Sequence, residues 1–183
     1  MHEDIKEILY SEEQIAARVK EMGARLTEHY RPAVERGERI VLLCVLRGAA
    51  IFMADLARAI DLPLEMDYMV VSSYGNEAKS SGVVNILKDT SSDVAGKHII
   101  IAEDILDSGL TLKSLGEIFE ARKAASIAIV TLLRKEVPGQ IDIKCFDVGF
   151  TCPDEFIVGY GLDFAEHYRN LPYVGILKPE VYS

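Results

Sequence analysis

The chain has 183 residues, 49% of them hydrophobic and 27% charged, with a formal net charge of -9. Those proportions suit a single globular domain with a substantial core, and two independent domains would be crowded into this length. The acidic balance excludes a nonspecific grip on nucleic acid, which needs clustered Lys and Arg, and no run approaches the roughly twenty apolar residues of a membrane span. Residues 11–30 place Ile15, Val19, Met22 and Leu26 at helical spacing, and Ser11 followed three residues later by Gln14 reads as a capping box. Residues 39–46 read as a buried strand, 48–60 as a helix and 64–71 as a second strand. Residues 72–83, rich in Ser, Gly and charge, read as a long loop, and 93–97 as a turn. A strand at 98–103, a helix at 112–122, a strand at 126–133 and a short strand at 156–158 complete the pattern.

This alternation implies an α/β fold with a parallel sheet and right-handed crossovers. Segments 1–36 and about 140–183 follow the rhythm less well and are expected to form a small hood over a core of about 37–140. Glu3 and Asp4 stand where a signal peptide would be basic. Cys44, Cys145 and Cys152 lack CxxC spacing and read as buried thiols in a reducing cytoplasm.

Residues 99–111 carry the most information. An unbroken apolar run ends in Glu103 and Asp104, then passes through Asp107, Ser108, Gly109 and Thr111 into a helical pattern. A strand with no polar alternation is buried on both faces of a parallel sheet, and such sheets bind ligands beyond their strands' carboxyl ends. The following helix would aim its positive dipole end at the same place. Carboxylates suit ribose hydroxyls; hydroxyls and amides suit phosphate. A sugar phosphate fits both.

The run Glu103-Asp104-Ile105-Leu106-Asp107-Ser108-Gly109 resembles the phosphoribosyl pyrophosphate motif of type I phosphoribosyltransferases. Ala102 and Ser108 are mild departures, since a larger aliphatic and a threonine are also common there. The resemblance implies that family's fold, a mostly parallel central sheet flanked by helices with a small hood over its carboxyl edge. It also implies that Glu103, Asp104, Asp107, Ser108, Gly109, Leu110 and Thr111 hold the phosphoribosyl group.

Four further clusters extend the resemblance over most of the chain. Leu46-Arg47-Gly48, with Arg169, would bind pyrophosphate, and the matching dipeptide in the family can adopt a cis bond. Ser73-Tyr74 would lie on a mobile lid that excludes water during reaction. Lys135, chosen by register over adjacent Arg134, would donate to the purine exocyclic oxygen, while Phe156 stacks on the ring and Ile157 offers backbone groups. Glu103, Asp104 and Asp163 would ligate Mg²⁺, and Asp107 would move a proton at purine N7. Without the resemblance, Phe156 is a core residue, Arg47 and Lys135 are solvated, Asp163 and Arg169 are surface charges, and Asp107 forms a turn.

The resemblance is nearest to the bacterial branch that acts on hypoxanthine and guanine. It implies a cytoplasmic purine salvage enzyme, a homodimer or homotetramer, that takes phosphoribosyl pyrophosphate and a 6-oxopurine base. A xanthine-preferring enzyme shares the motif, and so does a regulator that binds nucleotide without turnover. Lys135 and Phe156 speak against adenine, and the intact acidic pair with Asp107 favours an enzyme.

Overall fold

The computed structural model describes residues 2–73 and 84–182. Strand β1 (Ile5–Tyr10) leads into helix α1 (Glu12–Glu35), strand β2 (Ile40–Leu46) and helix α2 (Ala50–Ala59). Strands β3 (Glu65–Ser73), β4 (Val84–Lys88) and β5 (His98–Leu106) precede helix α3 (Leu110–Ala121). Strands β6 (Ser126–Lys135), β7 (Asp147–Cys152), β8 (Ile157–Val158) and β9 (Val174–Leu177) follow, then a last turn of helix, α4 (Pro179–Tyr182).

Among the described residues, six strands form the main sheet in the order β4-β3-β2-β5-β6-β7. All neighbours run parallel except β3 and β4. The strands alternate between two buried faces. Leu42, Cys44, Ile100, Ala102 and Val130 meet Val19, Met22 and Leu26 of α1 and Phe52, Met53 and Leu56 of α2 on one side. Val41, Leu43, Ile99 and Ile101 meet Leu112, Leu115 and Phe119 of α3 on the other. Burial on both faces explains the lack of polar alternation in β2 and β5. A second, antiparallel sheet of β1, β9 and β8 forms the hood.

The capping box is present: Gln14 N donates to Ser11 Oγ at 3.3 Å, and Ser11 N donates to Gln14 Oε1 at 2.8 Å. It starts a helix that outruns the expected end at 30 and reaches Glu35, with Pro32 inside its last turns.

Several expectations need correction. The strand expected at 98–103 continues to Leu106, because β6 keeps pairing with it as far as Leu106↔Arg134. Glu103 and Asp104 therefore lie inside β5 and not beyond it. The helix expected from 112 starts at Leu110, with Gly109 at φ 83 as its N-cap. The expected loop at 72–83 begins as the end of β3, and β4 returns antiparallel beside it, with Ser73 opposite Val84. The hood is also smaller than the expected 1–36 and about 140–183. Helix α1 has an apolar stripe wide enough to cover the main sheet, so it joins the core, and β7 pairs with β6 as the sheet's edge.

Among the described residues no helix is long and apolar enough to cross a membrane. The three cysteines are free; Cys44 and Cys152 are buried, while Cys145 is partly so.

Candidate functional site

The carboxyl ends of β2, β5 and β6 place the expected residues side by side. After β5, the chain turns through Asp107, Ser108 and Gly109 and starts α3. Gly109 can hold its positive φ because it has no Cβ, and a Cβ there would approach the Ile143 side chain at 3.0 Å. Ser108 Oγ accepts from Leu110 N at 3.4 Å, a long contact that leaves the helix N-terminus able to receive an anion. A small hollow of about 70 Å³ sits here, lined by Glu103, Ile105, Leu106, Asp107, Ser108, Gly109, Thr111 and Leu112. Five of the seven residues expected to hold a phosphoribosyl group thus line the hollow; Leu110 and Asp104 do not.

Asp104 faces the end of β2. Its Oδ1 accepts from Ile105 N at 2.8 Å, and its Oδ2 presses on Gly48, where a Cβ would stand only 1.5 Å away. The Leu46–Arg47 peptide bond, just before Gly48, is cis. Gly161 backs the same loop, since a Cβ on it would meet Gly48 O at 2.0 Å. Arg169 closes the group by donating from Nη1 to Gly161 O at 2.8 Å. Its Nη2 pairs with Asp163 at 2.9 Å and Glu166 at 3.2 Å, while its buried Nε has no hydrogen-bond partner among the described residues. Arg47 pairs with the same Glu166 at 2.8 Å. The two arginines expected at pyrophosphate are therefore held together by one exposed carboxylate that the sequence reading missed. The i,i+3 spacing of Glu166 and Arg169 was the available signal, and such spacing is common on surfaces.

A second cavity, of about 190 Å³, shares Ile105 and Asp107 with the first. Lys135, Phe156, Ile157, Asp163, Glu155 and Leu162 complete its wall. Every residue expected at the purine is present. Lys135 is the last residue of β6 and not a residue past the strand, and its Nζ donates to Asp154 Oδ1 at 3.2 Å. Phe156 stacks on Tyr182 at 5.0 Å and meets Phe164 edge-on at 5.2 Å, which fixes its ring plane. Glu155, also missed, pairs with Lys6 of β1 at 3.0 Å. Ser73 ends β3, and Tyr74 lies outside the described residues.

Burial dominates the electrostatics of the acidic pair. Glu103 Oε2 is buried with no hydrogen-bond partner among the described residues. Burial first, then the Asp104 charge and the hydrogen bond to it, hold the Glu103 carboxyl well above the usual carboxylate range. Asp104 is also raised, because burial outweighs its backbone hydrogen bonds and the nearby Arg169 charge. Behind them, burial and then the two carboxylates push the Cys44 thiol up to about 12, which leaves it unreactive.

An orphaned carboxylate oxygen beside a second carboxylate suits a hard divalent cation such as Mg²⁺. Among the described residues no three His, Cys, Asp or Glu side chains converge on one point. Two protein carboxylates completed by water and substrate oxygens are the usual arrangement for Mg²⁺. Asp163, expected as a third ligand, has both oxygens engaged, Oδ1 by Arg169 and Oδ2 by Glu166 N at 2.9 Å.

The raised pair has a consequence for stability. A carboxyl whose folded pKa exceeds its unfolded value of about 4 binds its proton more tightly when folded. Metal-free protein is therefore expected to lose stability as pH rises above the ordinary carboxylate range and to regain it as pH falls back. If the pair holds Mg²⁺, the ion should counteract the loss most on the alkaline side, where both carboxylates are ionised. Thermal unfolding across pH, with and without chelator, checks this, and Glu103→Gln should flatten the slope. An identical slope in the variant would place its origin elsewhere.

Known proteins resemble this chain in sequence and fold. The family model described as a phosphoribosyl transferase domain matches residues 6–165. A hypoxanthine-guanine phosphoribosyltransferase of Bacillus subtilis is 56% identical over 183 residues, covering 100% of this chain and 99% of that one. A crystal structure of a hypoxanthine phosphoribosyltransferase from Staphylococcus aureus superposes with a TM-score of 0.92 at 50% identity, covering 100% of this chain and 97% of that chain. A ternary substrates complex of a mutant hypoxanthine phosphoribosyltransferase from Trypanosoma cruzi also reaches 0.92, at 38% identity with 100% of both chains covered.

Proposed function

This chain belongs to the phosphoribosyl transferase family, and from that premise we propose that it is a purine salvage enzyme. It transfers the phosphoribosyl group of phosphoribosyl pyrophosphate to hypoxanthine or guanine, giving IMP or GMP and pyrophosphate. The observation that carries this reading is the pair of adjoining cavities, one at the N-terminus of α3 and one beside Lys135 and Phe156, that meet at Asp107.

Each part of the reaction has a residue suited to it. The 5′-phosphate lies against the turn 107–111, where amides and hydroxyls receive it and the α3 dipole favours its charge. The base stacks on Phe156, with Lys135 donating to its 6-oxygen and the backbone of Ile157 at its edge. Adenine carries an amino donor at that position, so two donors would face each other with no acceptor between them. The purine ring nitrogen bonds to C1′ as the bond from C1′ to pyrophosphate breaks. Asp107 handles the N7 proton of the base, while Arg47 and Arg169 receive the departing charge. Mg²⁺ on Glu103 and Asp104 would neutralise pyrophosphate oxygens and orient the ribose hydroxyls. Much of the acceleration comes from holding base and C1′ in line, which turns an encounter into a positioned displacement.

The deciding experiment is pyrophosphate release from phosphoribosyl pyrophosphate and Mg²⁺ with hypoxanthine, guanine, xanthine and adenine in turn. Turnover with hypoxanthine or guanine and little with adenine is the expected result. Preference for xanthine would move the specificity, and tight phosphoribosyl pyrophosphate binding without turnover would make the protein a regulator. Lys135→Ala tests the specificity argument separately. It should cut kcat/KM for hypoxanthine by about 10- to 100-fold, the worth of one charge-assisted hydrogen bond, and leave trace adenine use unchanged. Equal loss for every base would show that Lys135 is not the donor.

A further inference from the structure

The ladder between β5 and β6 ends at Leu106↔Arg134, one residue short of both Asp107 and Lys135. These two residues face the same cavity, yet the backbone pairing that would set their spacing stops before reaching them. One side chain takes over. Gln140, in the loop between β6 and β7, donates from Nε2 to Asp107 O at 2.5 Å and to Lys135 O at 2.8 Å. Leu106 O lies further off at 3.3 Å. An amide nitrogen has two hydrogens, so the two shorter contacts use its full donor capacity. Its Oε1 accepts from Arg134 Nε at 3.2 Å, which fixes the orientation of the amide. The next residue extends the clasp, since Ile141 N donates to Ser108 O at 3.0 Å.

We infer that Gln140 is a positioning residue for the base, setting the separation of Asp107 and Lys135 by bridging their carbonyls where the ladder stops. This rests on the reading that a 6-oxopurine lies between those two residues. Gln140 acts through the backbone and does not line the cavity. Its loss would let the lysine and the turn drift apart, and a drift of about 1 Å is enough to cost about 100-fold in rate. The effect falls on the base that uses both groups. Hypoxanthine needs the Lys135 donor; adenine does not.

The test compares kcat/KM for hypoxanthine and for adenine in Gln140→Met, which keeps the length of the side chain and removes its donors. The expected result is a 10- to 100-fold loss with hypoxanthine and little change with adenine, so that their ratio collapses. Phosphoribosyl pyrophosphate binding and the thermal midpoint should stay close to wild type. An unchanged ratio overturns the inference, and so does a loss shared equally by both bases, which marks a merely structural role. Should Gln140→Met fail to fold, Gln140→Glu carries the same test, because its carboxylate keeps the Arg134 contact and loses the donors. Lys135→Ala separates the two levels of argument. If it leaves the ratio intact, the placement of the base is wrong; if it collapses the ratio and the Gln140 variants do not, only the role of Gln140 is wrong.

Discussion

Asp107→Asn is expected to lower kcat by about 10²- to 10⁴-fold, the usual worth of a positioned acid or base, and to leave phosphoribosyl pyrophosphate binding largely intact. Asp107 lines both cavities, so under the proposed placement it stands between base and sugar. Asparagine has the same shape and cannot take a proton. The backbone of the turn is held independently, by Gln140 on the carbonyl of Asp107 and by Ile141 N on that of Ser108, so the phosphate site should survive the change. Steady-state kinetics with a separate binding measurement check this. Turnover within about two-fold of wild type would remove Asp107 from the proton step.

Gly48→Ala is expected to reduce kcat/KM for phosphoribosyl pyrophosphate by about 100-fold or more, the scale of a 1 Å displacement at a reacting centre. The new Cβ would stand 1.5 Å from Asp104 Oδ2 and 2.6 Å from its Cγ, so the carboxylate must turn away. Asp104 Oδ1 is tied to Ile105 N, and that hydrogen bond would go with it. The alternative is for the 46–48 loop to shift, but Gly161 blocks it from behind. Overpacking of this kind costs about 1–3 kcal/mol in stability, less than the roughly 5–15 kcal/mol that holds a typical domain folded. Denaturant unfolding should therefore show a folded protein with a modestly lowered midpoint. Near-normal phosphoribosyl pyrophosphate kinetics would mean that the Asp104 orientation is unimportant to binding.

How far the site was legible follows from the range of each signal. The stretch from Ile99 to Thr111 is continuous in the chain, so strand, carboxylates, turn and helix could all be read in place. Its boundaries moved because β6 pairs further along β5 than the apolar run suggests, and the helix starts earlier because Gly109 takes a conformation open to glycine. Strand β7 was not foreseen. Its Asp147 is buried but paired with Arg18 and Arg25 of α1 at 2.6 and 3.0 Å, so a charge stands at a position that a periodic reading takes as exposed. Lys135, Phe156 and Arg169 acquired roles only through resemblance, and the fold then placed the first two in one cavity and the third beside Gly48.

Residue order alone was enough for the elements whose information is local: the Ser11 cap, the doubly buried strands, and the acidic pair followed by a small-residue turn. Periodicity and capping act over a few residues, so they survive without knowledge of the fold. Which residues converge followed from the three-dimensional fold. It set Asp104 against Gly48, Glu166 between Arg47 and Arg169, and Gln140 between Asp107 and Lys135. None of these contacts has a sequence period, because each joins residues that meet only when the parallel sheet aligns its strand ends and the hood closes over them.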